Sequence, residues 1–153
     1  MRRTRFHEDQ CAIARTADLL GDSWMPLVVR ELLMGRNRFN DLCEQLDINR
    51  TLLTSRLKRL EDEGIIERQR YSERPPRDEF VVTDKGRALW DVLAAMATYG
   101  YDWLFDEPSE VEFYDARTGD RIYPAVIDRV TGQPLDIATT RRRTTASAPE
   151  GST

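Results

Sequence analysis

Five residues in the middle of the chain could act together on one surface: Arg50, Thr51, Thr54, Ser55 and Lys58 in RTLLTSRLKRLEDEG. Leu53, Leu57 and Leu60, at i, i+4 and i+7, form the stripe that a helix would bury, and the five share the opposite face. That face has cations and hydroxyls but no carboxylate before Glu61. Its chemistry is that of polyanion recognition. An arginine can bond guanine O6 and N7 together, a threonine can touch a thymine methyl, and a lysine neutralises phosphate. On its own the pattern also fits an ordinary solvated helix face. What tips the balance is the segment after it, two β-like runs joined by SERPPRD, with Arg74 and Arg77 on a tip stiffened by two prolines. Arg38, at the start of the preceding helix, is a further candidate for phosphate contact. Arg56, beside the leucine stripe, divides evenly between DNA contact and a structural salt bridge.

A second chemistry is that of a thiol. Cys11 lies just before the first expected helix, and Arg2, Arg3 and Arg5 are near it in sequence. A helix N-terminus and basic neighbours favour thiolate, the reactive form of cysteine. The plainer role is a small, partly buried packing residue. Cys43 falls on the apolar stripe Phe39, Leu42, Cys43, Leu46 and reads as inert. Two cysteines and one histidine, His7, are too few for a disulfide framework or a conventional zinc site. With no nucleotide loop and no nucleophile, base and orienter set, neither enzymatic activity nor a cofactor or metal is expected.

These residues need elements to hold them. The 153 residues suffice for one core-bearing domain with appendages, and 40% apolar with 33% charged residues suits a globular chain. No apolar run nears the roughly 20 residues of a membrane helix, and the basic N-terminus lacks an apolar signal segment, so a cytoplasmic location off the membrane is expected. The formal net charge of −4 is unevenly spread: Arg36 to Arg77 holds 10 Lys/Arg against 8 Asp/Glu, a net of +2, and Asp84 to Asp120 holds 3 against 9, a net of −6.

Along the chain, AIARTADLL places Ile13, Ala17 and Leu20 on one helical face, with Gly21 as its stop. Ser23 reads as the N-cap of a buried helix in WMPLVVRELLMG, with Pro26 in its first turn. A helix in RFNDLCEQL then breaks at Asp47-Ile48-Asn49, with Asn49 as the next N-cap. After Gly64 come strands in IIERQRY and EFVVT. Thr83 would cap a long helix from Asp84 to about Leu104. Its apolar stripe, with Leu89, Val92, Leu93 and Met96, packs either on its own domain or on a second copy. Trp24, Trp90, Tyr99, Tyr101 and Trp103 are candidates to line a pocket for a hydrophobic effector, although packing is the commoner use of such residues. Past Pro108, short β-like runs alternate with turns at Thr118-Gly119 and Thr131-Gly132, reading as a hairpin or three-stranded appendage. The organisation expected is a mobile arm over 1–10, the main domain over 11–105, a β-rich extension over 106–137 and a disordered tail over 138–153. The fold class is mainly α (α+β): a winged helix-turn-helix with a long C-terminal helix and a small β-hairpin appendage.

CAIARTADLLGDSW (Cys11 to Trp24), RFNDL (Arg38 to Leu42), LLTSRLKRLEDEGIIER (Leu52 to Arg68) and PPRDEFVVTDKG (Pro75 to Gly86) resemble, in order and spacing, the HxlR-type (MarR-like) transcriptional regulators. The resemblance covers residues 9–104. It implies a homodimer joined by its terminal helices, here through Leu89, Val92, Leu93, Met96, Tyr99 and Trp103. Each recognition helix would enter the major groove of one half-site of a pseudo-palindromic double-stranded operator. The resemblance further implies a repressor or activator tuned by a cue, a small molecule or, in some members, an oxidant or electrophile attacking the cysteine before the first helix, the place of Cys11. Some relatives carry a zinc-ribbon-like tail with paired cysteines. Here DARTGD and DRVTGQ stand without them, so a metal-free version is expected. The competing function is a winged-helix module that binds protein instead of DNA.

Overall fold

The computed structural model describes residues 6, 10–109 and 111–141; Arg2, Arg3, Arg5, His7 and most of both expected terminal segments lie outside them. The chain divides into two compact units, Met1–Ala97 and Thr98–Thr153.

In the first unit the order is α1 (Ala12–Leu20), α2 (Trp24–Leu33), α3 (Phe39–Leu46), α4 (Arg50–Asp62), β1 (Ile66–Glu73), β2 (Pro76–Val82), α5 (Asp84–Arg87) and the start of α6 (Leu89–Trp103). The core is contributed by every layer: Met25, Val28, Val29 and Leu32 of α2, Leu42 of α3, Leu53, Leu57 and Leu60 of α4, then Ile65, Ile66, Phe80, Leu89 and Leu93. Removing each such side chain from water is worth about 1.5–3 kcal/mol, so the leucine stripe of α4 is what fixes its roll on the core.

Local chemistry explains most boundaries. The Asn49 side chain accepts from the Thr51 and Leu52 N–H groups at 2.8 and 3.4 Å, capping α4. Asp47 takes the left-handed conformation (φ 49°) that ends α3. At α2 the cap is Asp22, not Ser23: its Oδ1 accepts from Trp24 and Met25 N–H at 2.9 and 3.1 Å. The α1 stripe is also turned. Ile13 is 80% exposed, whereas Asp18 is buried. The reason lies 41 residues away: Arg59 Nη2 donates to the Asp18 carbonyl at 2.7 Å and to its carboxylate at 3.3 Å, drawing that side of α1 inward.

β1 and β2 pair antiparallel from Ile66↔Val82 out to Glu73↔Pro76, with an irregularity between Arg70 and Ser72. The hairpin is thus longer than expected, and only Arg74 and Pro75 remain as its tip. Pro76 is tolerated because it opens its strand, where no ladder N–H is demanded. The loop before α3 is fastened to β2: Phe80 N–H donates to the Asn37 carbonyl at 2.8 Å, and Asn37 Nδ2 to Glu79 at 3.0 Å.

The single long helix expected from Asp84 is two helices, α5 and α6, separated at Ala88. Thr83 caps α5 by accepting from Gly86 N–H at 3.1 Å, and its own hydroxyl donates to the Gly64 and Ile65 carbonyls. That turn is held to the backbone before β1, while α6 follows the core through Leu89 and Leu93. Gly86 itself is pressed against Ile65: a Cβ there would stand 2.3 Å from the Ile65 carbonyl oxygen.

The second unit holds the end of α6 and a chain of turns. The expected strands are replaced by two isolated bridges, Tyr114↔Arg121 and Ile127↔Pro134. Pro124 and Pro134 have no N–H to extend a ladder. The two turns repeat each other. Gly119 N–H donates to Asp115 O and Gly132 N–H to Asp128 O, both at 2.7 Å, and each aspartate carboxylate accepts from the N–H two residues on at 2.8 Å. Bonds from Arg117 hold the Asp115 carboxyl below its usual range, and the Val130 N–H does so for Asp128. The Arg121 guanidinium lies over Tyr101 and Tyr123, 5.2 and 5.0 Å from the ring centroids, and pairs with Glu112 at 3.3 Å.

Candidate nucleic-acid interface

The helix-turn-helix, α3 and α4, sits beside the hairpin, and aromatic–arginine contacts link the two. Arg38, at the N-cap of α3, lays its guanidinium 4.6 Å from the centroid of Tyr71 in β1. One residue later, Phe39 carries the Arg50 guanidinium at 4.7 Å, and Asn40 Oδ1 accepts from Arg50 Nη1 at 3.1 Å. A continuous line therefore runs from the hairpin through the start of α3 to the start of α4. Tyr71, Phe39 and Asn40 had no functional signal in the sequence, because their partners lie 10 to 33 positions away.

The other residues of α4 are placed as follows. Thr51, Thr54, Ser55 and Lys58 are exposed. Thr54 Oγ1 donates to the Arg50 carbonyl and Ser55 Oγ to the Leu52 carbonyl, both at 2.8 Å. Their hydroxyl protons are engaged by the helix, and Ser55 Oγ also accepts from Arg56 Nη1 at 2.9 Å, so both must rotate to donate to a phosphate. Lys58 bonds Asp62 at 3.0 Å, with the two side chains 72% and 61% exposed. Such a surface pair contributes little and exchanges readily for a phosphate. Arg56 resolves toward structure: its Nε lies 2.8 Å from Asp22 Oδ2, and both side chains are mostly covered.

On the hairpin, Arg68 pairs with Glu61 at 3.2 Å, and that hydrogen bond raises its guanidinium above the ordinary value. Arg70 pairs with Asp78 at 3.3 Å. Arg74 at the tip and Arg77, which lies inside β2 opposite Ser72 and not on the tip as expected, are both exposed and form no ion pair among the described residues. The charges available to a polyanion are therefore Arg38, Arg50, Lys58, Arg74 and Arg77.

Cys11 is the N-cap residue of α1 and half-buried, and Cys43 packs at the core margin; they form no disulfide. Trp24 packs on the core as well. Of the residues expected at an interface between copies, Leu89 and Leu93 belong to the chain's own core. Val92 is half-buried, and Met96, Tyr99 and Trp103 are 49%, 61% and 75% exposed. Among the described residues no three His, Cys, Asp or Glu gather to hold a metal ion, and no helix is long and apolar enough to cross a membrane.

Comparison with known proteins converges on one family. The HTH-type transcriptional regulator sll1512 of Synechocystis sp. is 44% identical over 101 residues, which are 65% of this chain and 75% of that protein. A Mycobacterium bovis HTH-type transcriptional regulator is 34% identical over 93 residues, and there the chain spans only 59% of the relative's length. Among solved structures, that of PA1607, a candidate transcription factor, superposes with a TM-score of 0.83 at 30% identity, covering 93% of this chain and all of that one. The match necessarily takes in most of residues 98–141. The reduced form of the transcriptional regulator YodB from Bacillus subtilis gives 0.54 at 33% identity over 61% of this chain and 94% of its own. Residues 19–108 match the model of the HxlR-like helix-turn-helix proteins, and the chain belongs to that family.

Proposed function

We propose that this chain is a homodimeric transcriptional regulator that sets α4 into the major groove of each half of a two-fold-symmetric operator and rests the β1–β2 hairpin on the flanking backbone. The observation that carries this is the line of uncancelled cations joined through Tyr71, Phe39 and Asn40. Residues near the N-terminus of a recognition helix reach base edges, and those further along reach phosphates. Arg50 and Thr51 then read bases, and Lys58, Arg38, Arg74 and Arg77 position the protein. The test is Arg50→Ala, measured by gel shift on a selected duplex and on an unrelated one. Loss on the selected duplex should exceed loss on the other by about 5- to 150-fold, the worth of one bidentate guanine contact. Equal loss on both sinks the base assignment.

Arg74→Ala with Arg77→Ala should behave differently. Binding should weaken alike on both duplexes, and the slope of log affinity against log salt should flatten by roughly one unit per arginine that touches phosphate. An unchanged slope removes the hairpin from the interface.

The partner surface proposed is the outer face of α6. Val92, Met96, Tyr99 and Trp103 follow i, i+4, i+7 and i+11 along one line of α6, beside Leu89 and Leu93, which the chain's own core takes. An exposed aromatic stripe of this kind is the usual mark of an interface.

Cys11 is proposed as the signal-responsive group. YodB, a structural neighbour at 33% identity, is known in reduced and diamide-treated forms. Diamide should release the wild-type chain from its selected duplex and leave Cys11→Ser bound. Retained binding by the oxidised wild type excludes this role.

A further inference from the structure

We propose that Phe39 and Asn40 are positioning residues that set Arg50 to read a guanine, so that the start of α3 helps choose the base that α4 contacts. The inference rests on the DNA-binding reading above and deepens it.

Arginines that serve the fold here are tied to carboxylates: Arg56 to Asp22 at 2.8 Å and Arg59 to Asp18 at 3.3 Å. On the hairpin, Arg68 and Arg70 are likewise tied to Glu61 and Asp78. Arg50 is held by neutral groups alone, the Asn40 amide oxygen at 3.1 Å and the Phe39 ring at 4.7 Å. Such partners restrain the side chain without cancelling its charge. Phe39 packs against the core, so the ring is a fixed platform, while Arg50 and Asn40 are exposed.

An unrestrained surface arginine samples many rotamers and loses that freedom on binding. Here much of the loss has occurred before DNA arrives, which is preorganisation. Asn40 engages one terminal nitrogen only. Of the five guanidinium N–H donors, enough remain for the two-bond fork on guanine O6 and N7. Adenine offers an acceptor at N7 but a donor at N6, so a fixed arginine fork rejects it, whereas a mobile one can slip to a phosphate.

The test uses the full chain. A randomised duplex pool is selected with wild type, and each G·C pair of an enriched duplex is replaced in turn by A·T. Anisotropy at constant salt then gives the affinities. Wild type should show one G·C pair per half-site whose replacement costs about tenfold or more. Asn40→Ala should lose most of that discrimination while binding an unrelated duplex as wild type does. Asn40→Asp keeps an acceptor in place but adds a carboxylate that partly cancels the Arg50 charge and lies near phosphate. It should retain the discrimination and bind every duplex more weakly. Full discrimination in Asn40→Ala overturns the inference, as does an equal loss on all duplexes with a lowered melting temperature in both variants, the sign of a merely structural role. Discrimination that survives Arg50→Ala instead overturns the base-contact reading beneath it. A pool from which wild type enriches nothing overturns both.

Discussion

Replacing Gly86 by alanine is expected to lower the melting temperature by about 10–20 °C, because overpacking by one methyl costs about 1–3 kcal/mol and each kcal/mol moves a domain of this size by several degrees. The effect should lie at the upper end. The added Cβ meets the Ile65 carbonyl oxygen at 2.3 Å and Val82 Cγ1 at 2.7 Å. The first of these is backbone and cannot rotate away. Ile65 also receives the Thr83 hydroxyl and the Thr83 N–H, so the clash falls where the hairpin is joined to α5. Gly100, with open space around its Cβ position, is the control. Gly100→Ala in the last turn of α6 should be neutral or stabilising by up to about 1 kcal/mol. Circular dichroism melts of the two variants check this, and a Gly86→Ala chain that melts with wild type would contradict the prediction.

Tyr99→Lys with Trp103→Lys should split the proposed dimer. These side chains are 61% and 75% exposed, so the change leaves the core of the first unit untouched. Light scattering should give a dimer for wild type and a monomer for the variant. Affinity for a duplex with two half-sites should fall by about 10²–10⁴-fold, since the second half-site is no longer bound intramolecularly. Lysine makes the test stringent: added positive charge alone would strengthen DNA binding, so any loss must come from disassembly. A monomeric wild type, or a variant that remains dimeric, removes α6 from the interface.

Features decided within a few residues were legible in the sequence. The leucine stripe of α4 and the Asn49 cap follow from helical periodicity and from one side chain reaching the next turn. So does the Thr83 cap. Features decided across the fold were not. Asp22 and Ser23 are adjacent capping residues, and nothing local says which will reach the free N–H groups. The roll of α1 depends on Arg59, and the orientation of Arg50 on a residue of the preceding helix. Periodicity placed Leu89, Val92, Leu93 and Met96 on one stripe, but only packing divides it into an inner face, Leu89 and Leu93, and an outer one. In the second unit β-like composition stops at single bridges, because composition carries no information on whether a pairing strand is within reach.

In the proposed complex α4 and the hairpin grip DNA through Arg38, Arg50, Lys58, Arg74 and Arg77. That grip is tested most directly by binding of the full chain to an enriched duplex measured across a range of salt. Affinity that falls steeply as salt rises, with a slope near −0.9 per phosphate neutralised, is the predicted result. Binding that is absent at low salt, or that does not change with salt, would contradict it.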